Sequence, residues 1–88
     1  MTNAEAEVRA RLREFISTNY LFGDDARAPG DEDSLLEKGI LDSTGVLELI
    51  EFLEDDYGIE VLDTETVPEN LGSISGLTRF VLGKLSRA

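Results

Sequence analysis

In "GILDSTGVLELIEFLEDDYG", residues 39–58, a lone serine, Ser43, follows Asp42 and opens a run holding five acidic residues and no basic one. A serine can act as a nucleophile, but it then needs a base. The chain has no histidine and no cysteine, so the commonest general base and metal ligand, the disulfide and the thiolate-bound metal are all excluded. Paired carboxylates could in principle hydrolyse a glycosidic bond. The acids here nowhere converge in sequence, and 88 residues cannot enclose a deep cleft. A calcium loop beginning at Asp25 would put Gly30 at its turn position, yet Arg27, Pro29 and Leu36 would stand where oxygen ligands belong. No metal site and no enzyme are therefore expected. Taken alone, Asp42-Ser43 reads as an ordinary helix N-cap.

The charge pattern says more. The formal net charge is −11, which argues against nucleic acid or an anionic membrane as a partner and favours basic protein surfaces. Between Lys38 and Arg79 there is no Lys or Arg at all. An ordinary solvated helix would mix Lys with Glu at i, i+4. Here Glu48, Glu51, Glu54, Asp55 and Asp56 stand unmixed, so the middle of the chain reads as an acidic docking surface. No apolar run approaches the roughly 20 residues of a membrane span, and "MTNAEAEVRARLREF" is charged where a signal peptide would be apolar. A cytoplasmic protein without a membrane anchor is the expectation.

The elements that must position Ser43 follow from periodicity. Val8, Leu12, Phe15, Ile16 and Tyr20 share one helical face, and so do Val46, Leu49, Ile50, Leu53 and Tyr57, with Gly58 as the C-cap of the second helix. Thr44, Glu48, Glu51 and Asp55 lie on the opposite side of that helix, with Leu47 and Glu54 beside them; Leu47 and Phe52 fall off the buried arc. "GDDARAPGDEDS" is a loop, and "SLLEKGIL" an apolar return that pins it to the core. "DTETVPENL" can hold only a short helix, because Pro68 would clash with a long one. Ser73 is placed as the N-cap of a last helix with Ile74, Leu77, Val81 and Leu85 on its apolar face, weakened by Gly76 and Gly83. The expected fold is all-α: one domain over residues 1–88, a four-helix bundle with three main helices, a short third helix and a long first loop.

On "VRARLREFI", "DEDSLLEKGILDS", "LELIEFLEDDYGIEV" and "PENLGSISGLTRFV" the chain resembles the acyl and peptidyl carrier proteins. Their Gly-x-Asp-Ser-Leu type motif stands here as "GILDST", with Asp42 and Ser43 in the matching places and Gly39 one residue further upstream. The resemblance implies a 4′-phosphopantetheine arm on Ser43, flanked by Asp42, which carries an acyl or aminoacyl group as a thioester. The missing cysteine then makes sense, since the working thiol arrives with the arm. Implied partners are a phosphopantetheinyl transferase, an adenylating or acyl-activating loading enzyme, and downstream tailoring or transferase enzymes with basic docking surfaces. They would dock on Thr44, Leu47, Glu48, Glu51, Glu54, Asp55 and Val61 of a monomeric carrier, with Leu47 as the apolar anchor. Two residues depart from the pattern: Thr44 replaces the usual Leu, and Gly45 replaces a residue often acidic, both read as lying on the partner face. The strings are most similar to stand-alone carriers of secondary metabolism, among them prolyl carriers on which proline is oxidised to a pyrrole. A fatty-acid carrier and an unmodified acidic helical adaptor are the alternatives.

Overall fold

The computed structural model describes residues 4–22 and 28–87. Asp25 and Arg27 of the calcium-loop frame lie outside the described residues. Among those described there is no strand, and the order is α1 (Ala4–Ile16) continuing into a π-helical turn (Ser17–Leu21), α2 (Ser43–Tyr57), a 3-10 turn (Asp63–Glu65), α3 (Pro68–Leu71) and α4 (Ile74–Arg87). Three long helices and a short third one form a single all-helical bundle, as the periodicity predicts. No described helix is long and apolar enough to cross a membrane.

Helix α1 carries Glu5 and Glu7 in its first turn and Arg13 in its last, charges that complement the helix dipole. Val8, Leu12 and Ile16 are its buried face. Beyond Ile16 the expected i+4 spacing fails, because the helix widens into a π turn that the Asn19 side chain accompanies by donating to the Phe15 carbonyl at 2.8 Å. The buried position therefore passes five residues on, from Ile16 to Leu21. Tyr20, expected on the core face, packs against the core at its edge and is half-buried. Such π turns occur often at functional sites.

The return segment is fixed at both ends. Arg13 donates to the Pro29 carbonyl at 2.9 Å and pairs with Asp31, whose own carbonyl accepts the Ser75 amide at 2.9 Å. Leu35, fully buried, donates its amide to Gly72 at 2.8 Å and accepts from Ile40 and Leu41. With Ile40 and Leu41 also buried, "SLLEKGIL" does pin the loop, and the chain enters α2 from a braced position. Leu36, by contrast, is exposed.

In α2, Leu49 and Leu53 are fully buried, each contributing about 1.5–3 kcal/mol of hydrophobic stabilisation. Val46, Ile50 and Tyr57 are half-buried at the edges of that face. Gly58, at φ 66°, closes the helix in the left-handed conformation, as expected of a C-cap. Phe52 does not lie free of the core. It stacks on Phe15 at 4.3 Å and meets Tyr57 edge-on at 6.3 Å, while Phe15 meets Tyr20 edge-on at 5.8 Å. Four rings thus fill the seam between α1 and α2.

The short helix expected around Pro68 is present: α3 has four residues and Pro68 starts it, in the first helical turn, where its missing N–H costs nothing. One expectation about the C-terminal half needs correction: Leu85 is 39% exposed, because α4 outruns the core after Leu82. The Ser73 cap is present, its hydroxyl accepting the Gly76 amide at 3.0 Å. Gly76 is more than a weak helix former. A Cβ there would stand 2.5 Å from the Glu69 carbonyl oxygen, so the glycine lets α3 approach α4 backbone to backbone.

Candidate functional site

Ser43 is the first residue of α2 and is exposed. It is not the cap. Asp42, in extended conformation, takes that role, its carboxylate accepting the Gly45 amide at 2.8 Å while its carbonyl accepts the Val46 amide at 2.9 Å. The amides of Ser43 and Thr44 stand at the positive end of the helix, where intrahelical partners do not exist. The geometry leaves a hydroxyl available to solvent, with N–H groups beside it suited to an anion. A phosphodiester on Ser43 fits this arrangement: the serine is unencumbered, and Asp42 is occupied with the Gly45 amide.

The acidic side of α2 falls on one arc. At 100° per residue Thr44, Leu47, Glu48, Glu51 and Asp55 lie within about 100°, and the row reaches about 18 Å along the axis from Ser43. All five are exposed, and Leu47 at 64% is a bare apolar residue among the acids. Glu54 and Val61 differ from the rest. The Glu54 carboxylate accepts the Val61 amide at 2.9 Å, and both residues are half-buried, so this pair braces the chain leaving α2 more than it faces outward. Asp56 pairs with Arg11 across the seam, and Lys84 pairs with Glu65 at 2.7 Å. Basic residues near the chain ends thus neutralise acids at the margins and leave the arc of α2 itself unpaired by any described cation.

Gly45 does not belong to the partner face. It is buried, and a Cβ there would meet Leu41 Cδ2 at 3.1 Å, Tyr20 Cε1 at 3.3 Å and Asp42 Oδ1 at 3.4 Å. Tyr20 lies across it, with its hydroxyl donating to the Glu48 carboxylate and standing 3.4 Å from the Gly45 carbonyl. Burial first, then the Glu48 bond and the nearby charges of Glu48 and Asp42, push the phenol well above its ordinary value. Sequence periodicity placed Tyr20 on the core-facing side, where it does pack, and missed this second role. The one available signal was Asn19, a residue that competes for backbone carbonyls and loosens a helix end.

A cleft of about 200 Å³ opens on the other flank of α2, lined by Leu36, Val46, Thr66, Val67, Pro68, Leu71 and Gly72. Val46 is one turn beyond Ser43. Among the described residues no three acidic side chains gather as a metal site would require.

No known family pattern matches the chain, and no curated protein matches it significantly.

Proposed function

We propose that this chain is a carrier protein that receives a 4′-phosphopantetheine arm on Ser43. The observation that carries the reading is the exposed Ser43 hydroxyl at the mouth of α2, relieved of capping by Asp42 and followed by an exposed row of acids around Leu47. In the modification the Ser43 oxygen bonds to the pantetheine-bearing phosphorus of coenzyme A. The pyrophosphate P–O bond breaks, 3′,5′-ADP leaves, and the hydroxyl proton passes to a base of the Mg²⁺-dependent transferase. The chain itself needs no catalytic base, which agrees with its lack of histidine. Once attached, the arm supplies the thiol that holds a cargo.

What this chain's own residues contribute is position and charge. The free amides at the start of α2 favour the phosphodiester, and Thr44, Leu47, Glu51 and Asp55 offer a small acidic and apolar patch to basic enzymes. Transient patches of this kind give fast encounter and easy release, which suits a monomeric shuttle in the cytoplasm. The cargo we propose is an aminoacyl group, a prolyl group and its pyrrole form first, delivered by a stand-alone adenylating enzyme of a natural-product pathway. The cleft beside Val46 is small, which favours a short cargo over a long fatty chain.

The decisive measurement is intact mass after incubation with coenzyme A, Mg²⁺ and a broad-specificity phosphopantetheinyl transferase. One added phosphopantetheine, absent in Ser43→Ala, supports the reading; an unchanged mass leaves the unmodified acidic adaptor in its place.

A further inference from the structure

Glu48 is exposed on the acidic row, and an exposed Glu ordinarily wanders among rotamers that a partner must freeze on docking. It is tethered here. The Tyr20 hydroxyl reaches it from the π turn that ends α1, in a bond to a charged acceptor, the stronger kind. Only one carboxylate oxygen takes part. Tyr20 is itself set in place on three sides. The π turn sets it at the edge of the core, Phe15 meets its ring edge-on, and the absent side chain at Gly45 leaves room for the ring against the first turn of α2.

We propose that Tyr20 is a positioning residue of the docking face, holding the Glu48 carboxylate in one orientation across the α1–α2 seam so that its second oxygen is presented to a basic partner. The tether does not neutralise the acid, since a phenol donates a hydrogen bond and keeps its proton. Glu48 thus keeps its charge and loses its freedom. Glu51 and Asp55, further along the same row, have no such tether among the described residues. The acidic row therefore has one preset member, in the turn next to Ser43, and untethered ones beyond it among the described residues.

The docking role rests on the carrier reading; the tether itself does not. The test is a double-mutant cycle on Tyr20→Phe and Glu48→Gln, read as KM and kcat for phosphopantetheine transfer from coenzyme A by the transferase. Tyr20→Phe keeps the ring and its packing. It is expected to raise KM for the protein about 2- to 10-fold, the range for one newly mobile side chain, with little change in kcat. In the Glu48→Gln background the same change should leave KM nearly unaltered. An unchanged KM in Tyr20→Phe, or an equal rise in both backgrounds, overturns the proposal while leaving the carrier reading intact. A wild-type protein that accepts no arm overturns the carrier reading and the docking role with it. Independently of any modification, the ring ¹³C shift of Tyr20 followed through its alkaline titration reads the tether. Glu48→Gln should bring that titration down toward the ordinary phenol range, and a titration indifferent to Glu48→Gln shows that no tether exists in solution.

Discussion

The Asp42 carboxylate accepts the Gly45 amide at 2.8 Å, so the helix that begins at Ser43 is capped without using the Ser43 hydroxyl. Of the Asp42-Ser43 pair that reads as an N-cap in the sequence, Asp42 is the cap and Ser43 is left free of that role. Ser43→Ala should then fold with stability within about 0.5 kcal/mol of the parent, as for other exposed substitutions. Asp42→Ala should lose about 1 kcal/mol with its cap. Urea unfolding of both variants checks the division, and equal losses would return the cap to Ser43. Arm attachment persisting in Ser43→Ala would end the assignment of that residue.

The acidic row makes a prediction about rates. Charge reversal at Glu51 and Asp55 should slow loading mainly through association, and the parent's own rate should fall as salt rises. Leu47→Ala should weaken the same step in a way that salt does not alter, because what is lost is apolar contact. Stopped-flow or initial-rate measurements over a salt series separate the two. Rates indifferent to charge and salt would reduce the row to solvated surface.

The two glycines of α4 should behave in opposite ways. Gly83 has nothing within 4 Å of an added Cβ, so Gly83→Ala should stabilise by about 0.4–1 kcal/mol through helix propensity and a less disordered unfolded chain. Gly76→Ala places a methyl 2.5 Å from the Glu69 carbonyl. It should cost about 1–3 kcal/mol as α3 is pushed away. Midpoints of thermal or urea unfolding decide both.

Alkaline unfolding should report the tyrosines. Burial raises the Tyr20 and Tyr57 phenols above 10.0, although Arg11 pulls Tyr57 back in part. A raised phenol favours the folded state fully below the unfolded value and loses that contribution as pH climbs past it toward the folded one. Stability should therefore decline above about pH 10, and Tyr20→Phe should decline less steeply. Equal slopes would show that Tyr20 is as free to ionise in the folded protein as in the unfolded chain.

Cargo is tested by comparing amide shifts of the modified protein loaded with a prolyl or a long fatty acyl group. Phe15, Tyr20, Phe52 and Tyr57 pack against the core along the α1–α2 seam, and a cleft lies on the other flank, beside Val46 and Leu71. A prolyl group should leave the core amides nearly unshifted. Large shifts around Val46, Val67 and Leu71 with the fatty chain, and its ready turnover by fatty-acid synthase enzymes, would favour the fatty-acid carrier.

Most of the fold was legible because local periodicity and composition carry it. The apolar spacing of Val8, Leu12 and Ile16, of Leu49 and Leu53, and of Ile74, Leu77 and Val81 gives three amphipathic helices whose only stable arrangement buries those faces together. Gly58 and Ser73 mark ends by their own conformational and hydrogen-bonding chemistry, and the unmixed acids of α2 announce an exposed face. What the tertiary structure decided lies wherever one element meets another. No spacing rule says that α1 widens after Ile16, since that depends on where Leu21 can find the core and where Tyr20 can find α2. In a linear string Gly76 looks like a propensity cost and Gly45 like a partner-face residue, and only the approach of Glu69 to the one and of Tyr20 to the other turns them into requirements for space. The sequence by itself determined which surfaces are apolar and which are charged; the packing of α1 on α2 determined that Glu48 is tethered while Glu51 and Asp55 are not, because a hydrogen bond between residues 28 positions apart exists only once the seam between the helices has closed.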